Sequence, residues 1–235
     1  KTVAFCEIDS ACHGALRECW PGVPIYNDVR ALTATTLCRD GITIDAISGG
    51  FPCQDISVAG DQAGLDGERS GLWTEIARLV GELRPRYVIV ENVAALLTGG
   101  NGRWFGRVLG DLAALGYDAE WHCIPASDFG AEHRRERVWI VAYPNGDRHP
   151  DYGAAISDFP FEEACQQWDR RLDELGAGDG VQRCDSYTDI VREVYGIPEW
   201  THRVRALGNA VVPQIPELIG RAILSAIAEQ SHNRN

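Results

Sequence analysis

The chain has 235 residues, of which 45% are hydrophobic and 24% charged, with a formal net charge of −12. That length buries one good core and leaves room for a small appended lobe. No apolar run is long enough to span a bilayer, and the start lacks the basic and then apolar pattern of a secretory signal, so a cytoplasmic protein with no membrane contact is expected. The acidic excess excludes sequence-blind nucleic-acid binding over the whole surface, because phosphate contacts require Lys and Arg. Any nucleic-acid site must then be a local basic cleft. The clustering arginines are Arg103, Arg107, Arg134, Arg135, Arg137, Arg203 and Arg205, whereas residues 147–199 are strongly acidic.

The elements follow in chain order. Thr2 to Cys6 reads as a short buried strand, and Asp45 to Ser48 ends another that runs into Gly49 and Gly50. Leu72, Ile76, Leu79, Val80 and Leu83 fall on one face of a 3.6-residue period, and Pro85 stops that helix. Tyr87 to Val90 is a third buried strand. A second amphipathic helix runs through Trp104, Phe105, Val108, Leu109, Leu112 and Leu115 to Gly116, and strands at 119–124 and 137–143 follow. From 145 to 200 the period dissolves, apart from a possible helix near Glu162–Leu175. A last helix carries Ile215, Leu218, Ile219, Ala222, Ile223 and Ile227 on one face. This alternation predicts an α/β fold with a mostly parallel sheet covered on both faces. The expected domains are a catalytic core over 1–145, a small irregular lobe over 146–200, and a segment over 201–235 that returns to the core.

Eight cysteines are scattered without a Cys-x-x-Cys pair, so reduced thiols are expected rather than disulfides, and no metal site. Most should pack as small buried hydrophobes. Cys53 differs, since Gly49-Gly50-Phe51-Pro52-Cys53-Gln54 places it in a glycine- and proline-shaped loop just past a buried strand. A second strand ends at Glu91-Asn92-Val93. In a parallel sheet both strand ends open on one rim, so Cys53 and Glu91 can converge as a nucleophile and a proton donor. A third element, His133-Arg134-Arg135-Glu136-Arg137, precedes a strand, and alternate residues there can aim Arg135 and Arg137 at one site. The chain has no Met, which suggests either a fragment or a start removed by processing.

Taken in order, GGFPCQ, ENV, HRRER and the stretch Gly208-Asn209-Ala210-Val211-Val212-Pro213 resemble the motifs of DNA (cytosine-5)-methyltransferases, most closely the compact phage or bacterial members. The resemblance covers nearly the whole chain except about 147–200. It implies a Rossmann-like S-adenosylmethionine-dependent methyltransferase fold, a monomer acting on double-stranded DNA, and a restriction-modification or phage self-marking setting. The catalytic set it implies is Cys53 as the covalent nucleophile, Glu91 as the acid at cytosine N3, Arg135 at the cytosine O2, and Arg137 as an orienting group. For the methyl donor it implies Glu7 at the ribose hydroxyls, Ile8 with Asp28 and Val29 around the adenine, and Pro52, Asn209 and Ala210 as the remaining contacts. Glu7 and Asp28 have a second reading as helix caps.

Two features depart from the family pattern. No Phe-x-Gly-x-Gly-Gly loop precedes Glu7, so the core is expected to be truncated at its N-terminus. The region between HRRER and GNAVVP, where the family reads its DNA target, is short and acidic. The alternatives are a catalytically silent remnant that at most binds DNA, motivated by the missing loop, and a tRNA cytosine-5 methyltransferase, which uses the same motifs.

Overall fold

The computed structural model describes residues 1–51, 71–129, 134–146 and 211–232. The chain divides into two units, Lys1–Cys123 with Arg137–Asp147 and Ile124–Glu136 with Arg148–Asn235.

The first unit opens with two short strands, β1 (Phe5–Cys6) and β2 (Ile25–Tyr26), paired in parallel. Helix α1 (Ser10–Cys19) connects them and starts at Asp9, whose carboxylate accepts the Ala11 amide at 3.0 Å. Only His13 of α1 is buried, so the helix has no apolar stripe for a period to reveal. Helix α2 (Ala34–Arg39) is capped by the Thr33 hydroxyl, which accepts from the Thr36 amide. The expected first strand is therefore shorter than Thr2 to Cys6, and α1 and α2 add to the expected elements.

A four-stranded sheet follows, in the order β3 (Ala46–Gly50), β4 (Tyr87–Val93), β6 (Arg137–Pro144), β5 (Tyr117–Ile124). β3 and β4 are parallel, in register from Ala46 with Tyr87 to Gly50 with Glu91. β6 runs antiparallel to β4, from Val88 with Ala142 to Val93 with Arg137. The α/β class stands, and the sheet is mixed rather than mostly parallel. Parallel neighbours are reached through a long, usually helical crossover, and the described residues before β6 supply only a 3-10 turn at Ala126–Phe129.

Two helices bury one face of this sheet. Trp73 and Val80 of α3 (Leu72–Leu83) and Val108 and Leu112 of α5 (Arg103–Ala114) pack with Val88 and Val90 of β4 and with Val138, Ile140 and Ala142 of β6. Between them lies the short α4 (Ala95–Thr98). α3 stops where Arg84 turns left-handed at φ 49°, a conformation that commonly closes a helix, and Pro85 directly after it cannot continue the helix. On β4, Val88, Val90 and Asn92 alternate with Ile89, Glu91 and Val93, so the carboxylate and the core valines leave the strand on opposite faces.

In the second unit, the Ala126 amide donates to the Arg134 carbonyl at 2.7 Å. Helix α6 (Gln214–His232) buries Ile215, Leu218, Ile219 and Ile223, four members of the apolar face expected for the last helix. The possible helix near Glu162–Leu175 lies outside the described residues. Among the described residues no helix is long and apolar enough to cross a membrane.

Candidate active site

The end of β3 is built around the absence of a side chain. A Cβ on Gly50 would stand 3.0 Å from the Glu91 carbonyl oxygen and 3.2 Å from Glu91 Oε2. Gly50 and Glu91 are register partners, so the carboxylate lies across the Gly50 backbone, where any larger residue would push it aside. Glu91 is held from its other side by Arg137, whose Nε is 3.1 Å from Oε1, and both side chains are about four-fifths buried. Trp139 is the register partner of Glu91 on β6. Its indole nitrogen is buried and has no hydrogen-bond partner among the described residues.

Beyond Gly50 the chain is anchored twice. The Phe51 ring is buried against Trp73, with centroids 5.6 Å apart, and the Trp73 indole donates to Asp111 Oδ2 at 2.8 Å. The Phe51 carbonyl accepts from Asn92 Nδ2 at 3.1 Å. Pro52 and Cys53, the next two residues in sequence, lie outside the described residues, as do Asn209 and Ala210. The chain that leads toward Cys53 is thus fixed at Phe51 to the strand that carries Glu91. Of the expected catalytic residues, the structure brings Glu91 and Arg137 together.

Arg135 is described, but the strand alternation that would align it with Arg137 does not reach it. β6 starts at Arg137, and Arg135 adopts φ 28°, a left-handed conformation outside extended geometry. Arg134 is exposed and 3.5 Å from Glu136. The other described members of the arginine cluster make local contacts, Arg103 donating to the Gly100 carbonyl and Arg107 lying 3.8 Å from Asp111.

Four of the expected cofactor residues, Glu7, Ile8, Asp28 and Val29, lie just past the carboxyl ends of β1 and β2. The Glu7 amide donates to the Tyr26 carbonyl at 2.8 Å, and the Glu7 carbonyl is 2.7 Å from His13 Nε2. A carbonyl only accepts, so His13 presents an N–H there. The Glu7 carboxylate accepts the Asp9 amide at 2.8 Å. Asp28 accepts from the backbone and side chain of Arg30, and this holds its carboxyl below the usual range. Both carboxylates thus serve local turns. Ile8 is 67% exposed, while Val29 packs against the Leu32, Leu37 and Leu79 cluster. The field here is negative: burial first, then Asp28 and Glu7, push the Cys6 thiol up to about 11, and the Cys12 thiol is raised by burial, Glu7 and Asp9.

Reading residues singly leaves Gly50, Asn92 and His13 without roles. The Gly-Gly pair directly before the loop and the Asn directly after Glu91 were the available signals. Nothing in the sequence around His13 marks it out from an ordinary core histidine.

Residues 1–189 match the family of C-5 cytosine-specific DNA methylases. The chain is 34% identical over 145 residues to the type II methyltransferase M2.BsuMI of Bacillus subtilis, covering 60% of this chain and 36% of that protein. It is 42% identical over 99 residues to the type II methyltransferase M1.ScrFI of Lactococcus lactis subsp. cremoris, covering 42% of this chain and 25% of that protein. The crystal structure of the S. pombe Dnmt2 methyltransferase is similar in fold, with a TM-score of 0.53 at 17% identity, over 67% of this chain and 48% of that one. The chain spans about a third of the length of the first curated relatives it matches.

Proposed function

Because this chain belongs to the C-5 cytosine-specific DNA methylase family, we propose that it carries the nucleophile and the acid for methyl transfer to C5 of a cytosine in double-stranded DNA. The observation that carries this reading is the Glu91 carboxylate lying across Gly50, at the end of the strand that leads into Cys53.

Cytosine C5 is a weak carbon nucleophile, and a thiolate that adds to C6 converts the ring into an enamine. Cys53 forms the S–C6 bond, and the displaced electron pair moves onto the ring. Glu91 protonates N3 and removes the charge that would otherwise build there. Arg137 orients the Glu91 carboxyl, and Arg135 stabilises the ring oxygen O2. S-adenosylmethionine would supply the electrophilic methyl group, which no side chain offers. Once C5 carries the methyl group, loss of the C5 proton to water or hydroxide expels the Cys53 thiolate, N3 returns its proton to Glu91, and the aromatic ring is restored. None of this is reachable inside stacked duplex, so the target base is extruded from the helix toward Glu91.

The residues near β1 and β2 fit the methyl donor. Glu7 offers a carboxylate acceptor to the ribose hydroxyls, Asp28 stands where it would complete the adenine site with the exposed, apolar Ile8 side chain, and the negative field of Asp28 and Glu7, second to burial in raising Cys6, suits a cationic sulfonium. Val29, Pro52, Asn209 and Ala210 complete the proposed set. A field of that sign repels phosphate, so DNA belongs on the Glu91 side.

DNA containing 5-fluorocytosine tests the reading, because fluorine at C5 cannot leave as a proton does. The intact protein with S-adenosylmethionine should form a stable covalent adduct, Cys53→Ala none, and Glu91→Gln should form it about a hundredfold or more slowly. An adduct that persists in Cys53→Ala would refute the assignment.

A further inference from the structure

Resting on that reading, we propose that Asn92 is a positioning residue for the transfer, registering the entrance of the Cys53 loop against the strand that carries Glu91. Asn92 is 2% exposed, and both ends of its carboxamide are used. Nδ2 donates to the Phe51 carbonyl at 3.1 Å, and Oδ1 accepts the Val93 amide at 2.9 Å. The backbone amide only donates and the carbonyl only accepts, so the amide cannot be flipped without breaking both bonds. The parallel ladder of β3 and β4 ends at Gly50 with Glu91. Phe51 is the first residue past it, and the Asn92 side chain supplies its carbonyl with the partner that a further ladder bond would have given.

The placement is specific to the chemistry. Asn92 adjoins Glu91 in sequence but projects to the opposite face, so it holds the loop without crowding the carboxylate. Phe51 is fixed by its ring on Trp73 and by its carbonyl on Asn92. Removing the amide leaves the aromatic contact in place and releases the backbone two residues before the nucleophile. A small error in that position costs rate more than affinity, since reactive alignment is sensitive to shifts of about an ångström.

Asn92→Ala and the isosteric Asn92→Asp, which keeps the acceptor and loses the donor, should lower kcat and the rate of 5-fluorocytosine adduct formation by about tenfold to a hundredfold, with KM for S-adenosylmethionine unchanged within about twofold. A second readout needs no catalysis: iodoacetamide labelling of Cys53, followed by peptide mapping with Cys38 and Cys123 as internal references. Its rate should change several-fold in Asn92→Ala while the references hold. Unchanged kcat, or all three cysteines moving together with a lower Tm, would overturn the proposal. If the wild-type protein forms no adduct, the proposed function fails, and the labelling still judges Asn92.

Discussion

The two sides of the first unit are held by different means. Around Glu91 the support described comes from far along the chain: Gly50 under the carboxylate, Arg137 beside it, Phe51 on Trp73, and Trp73 on Asp111 of α5. The carboxylates of Glu7 and Asp28 instead make local contacts, each bonding the backbone two residues on, and His13 reaches back six to the Glu7 carbonyl. Chemistry that needs an acid fixed within a fraction of an ångström of a ring requires the first kind of support. Holding a cosubstrate through several hydrogen bonds tolerates the second.

The largest expected effect would break the distant support. Trp73 is fully buried, carries the Phe51 contact, and donates its indole N–H to Asp111. Trp73→Ala should destabilise the protein by about 3–5 kcal/mol, read by urea denaturation. A loss under about 1 kcal/mol, the level of an ordinary surface change, would mean that the core does not rest on this side chain.

A smaller and more selective effect is expected at Gly50. Its substitution by valine sets a Cβ 3.0 Å from the Glu91 carbonyl oxygen and 3.2 Å from Oε2, so the strand or the carboxylate must give way by a few tenths of an ångström, and the further methyl groups of valine add to the crowding. Methyl transfer should fall about a hundredfold while cofactor affinity stays unchanged. Equal losses in affinity and rate would show that the two sides are not independent.

This contrast also explains what could be read in advance. The helices over Leu72–Leu83 and Arg103–Ala114 and the strand from Tyr87 were legible because each buries a regular apolar stripe. α1 was not, since a helix that buries only His13 leaves no period. Its start was still marked, because Asp9 is a favoured N-cap residue. The pairing direction of β6 depends on which neighbours it slides between, a property of topology that local pattern does not carry. The place of Glu91 near the carboxyl end of a strand was legible from the apolar run before it. The left-handed backbone at Arg135 was not, as arginine gives no hint of positive φ.

The locally held side should respond more gently. Glu7→Gln keeps an oxygen that can accept the Asp9 amide, so the turn survives, and removes one charged acceptor. S-adenosylmethionine affinity by calorimetry should weaken about tenfold, the weight of one charge-assisted hydrogen bond. A loss of more than about a thousandfold would exceed what one such bond supplies and would indicate collapse of the turn.

The gentlest test uses Cys6 as a reporter of the field on that side. Its thiol is raised from 9.0 to about 11, with burial the largest cause and Asp28 and Glu7 next. The neutral thiol is therefore favoured in the fold. Between pH 9 and 11 the unfolded chain ionises this thiol while the folded one retains its proton, so the folded state loses relative stability across that window. Asp28→Asn deletes one of the opposing charges and should move the midpoint of Cys6 alkylation against pH downward. The midpoint should stay above 9.0, because burial is untouched. If it does not move, the carboxylates are screened by solvent, and the negative field offered as suiting a sulfonium is absent.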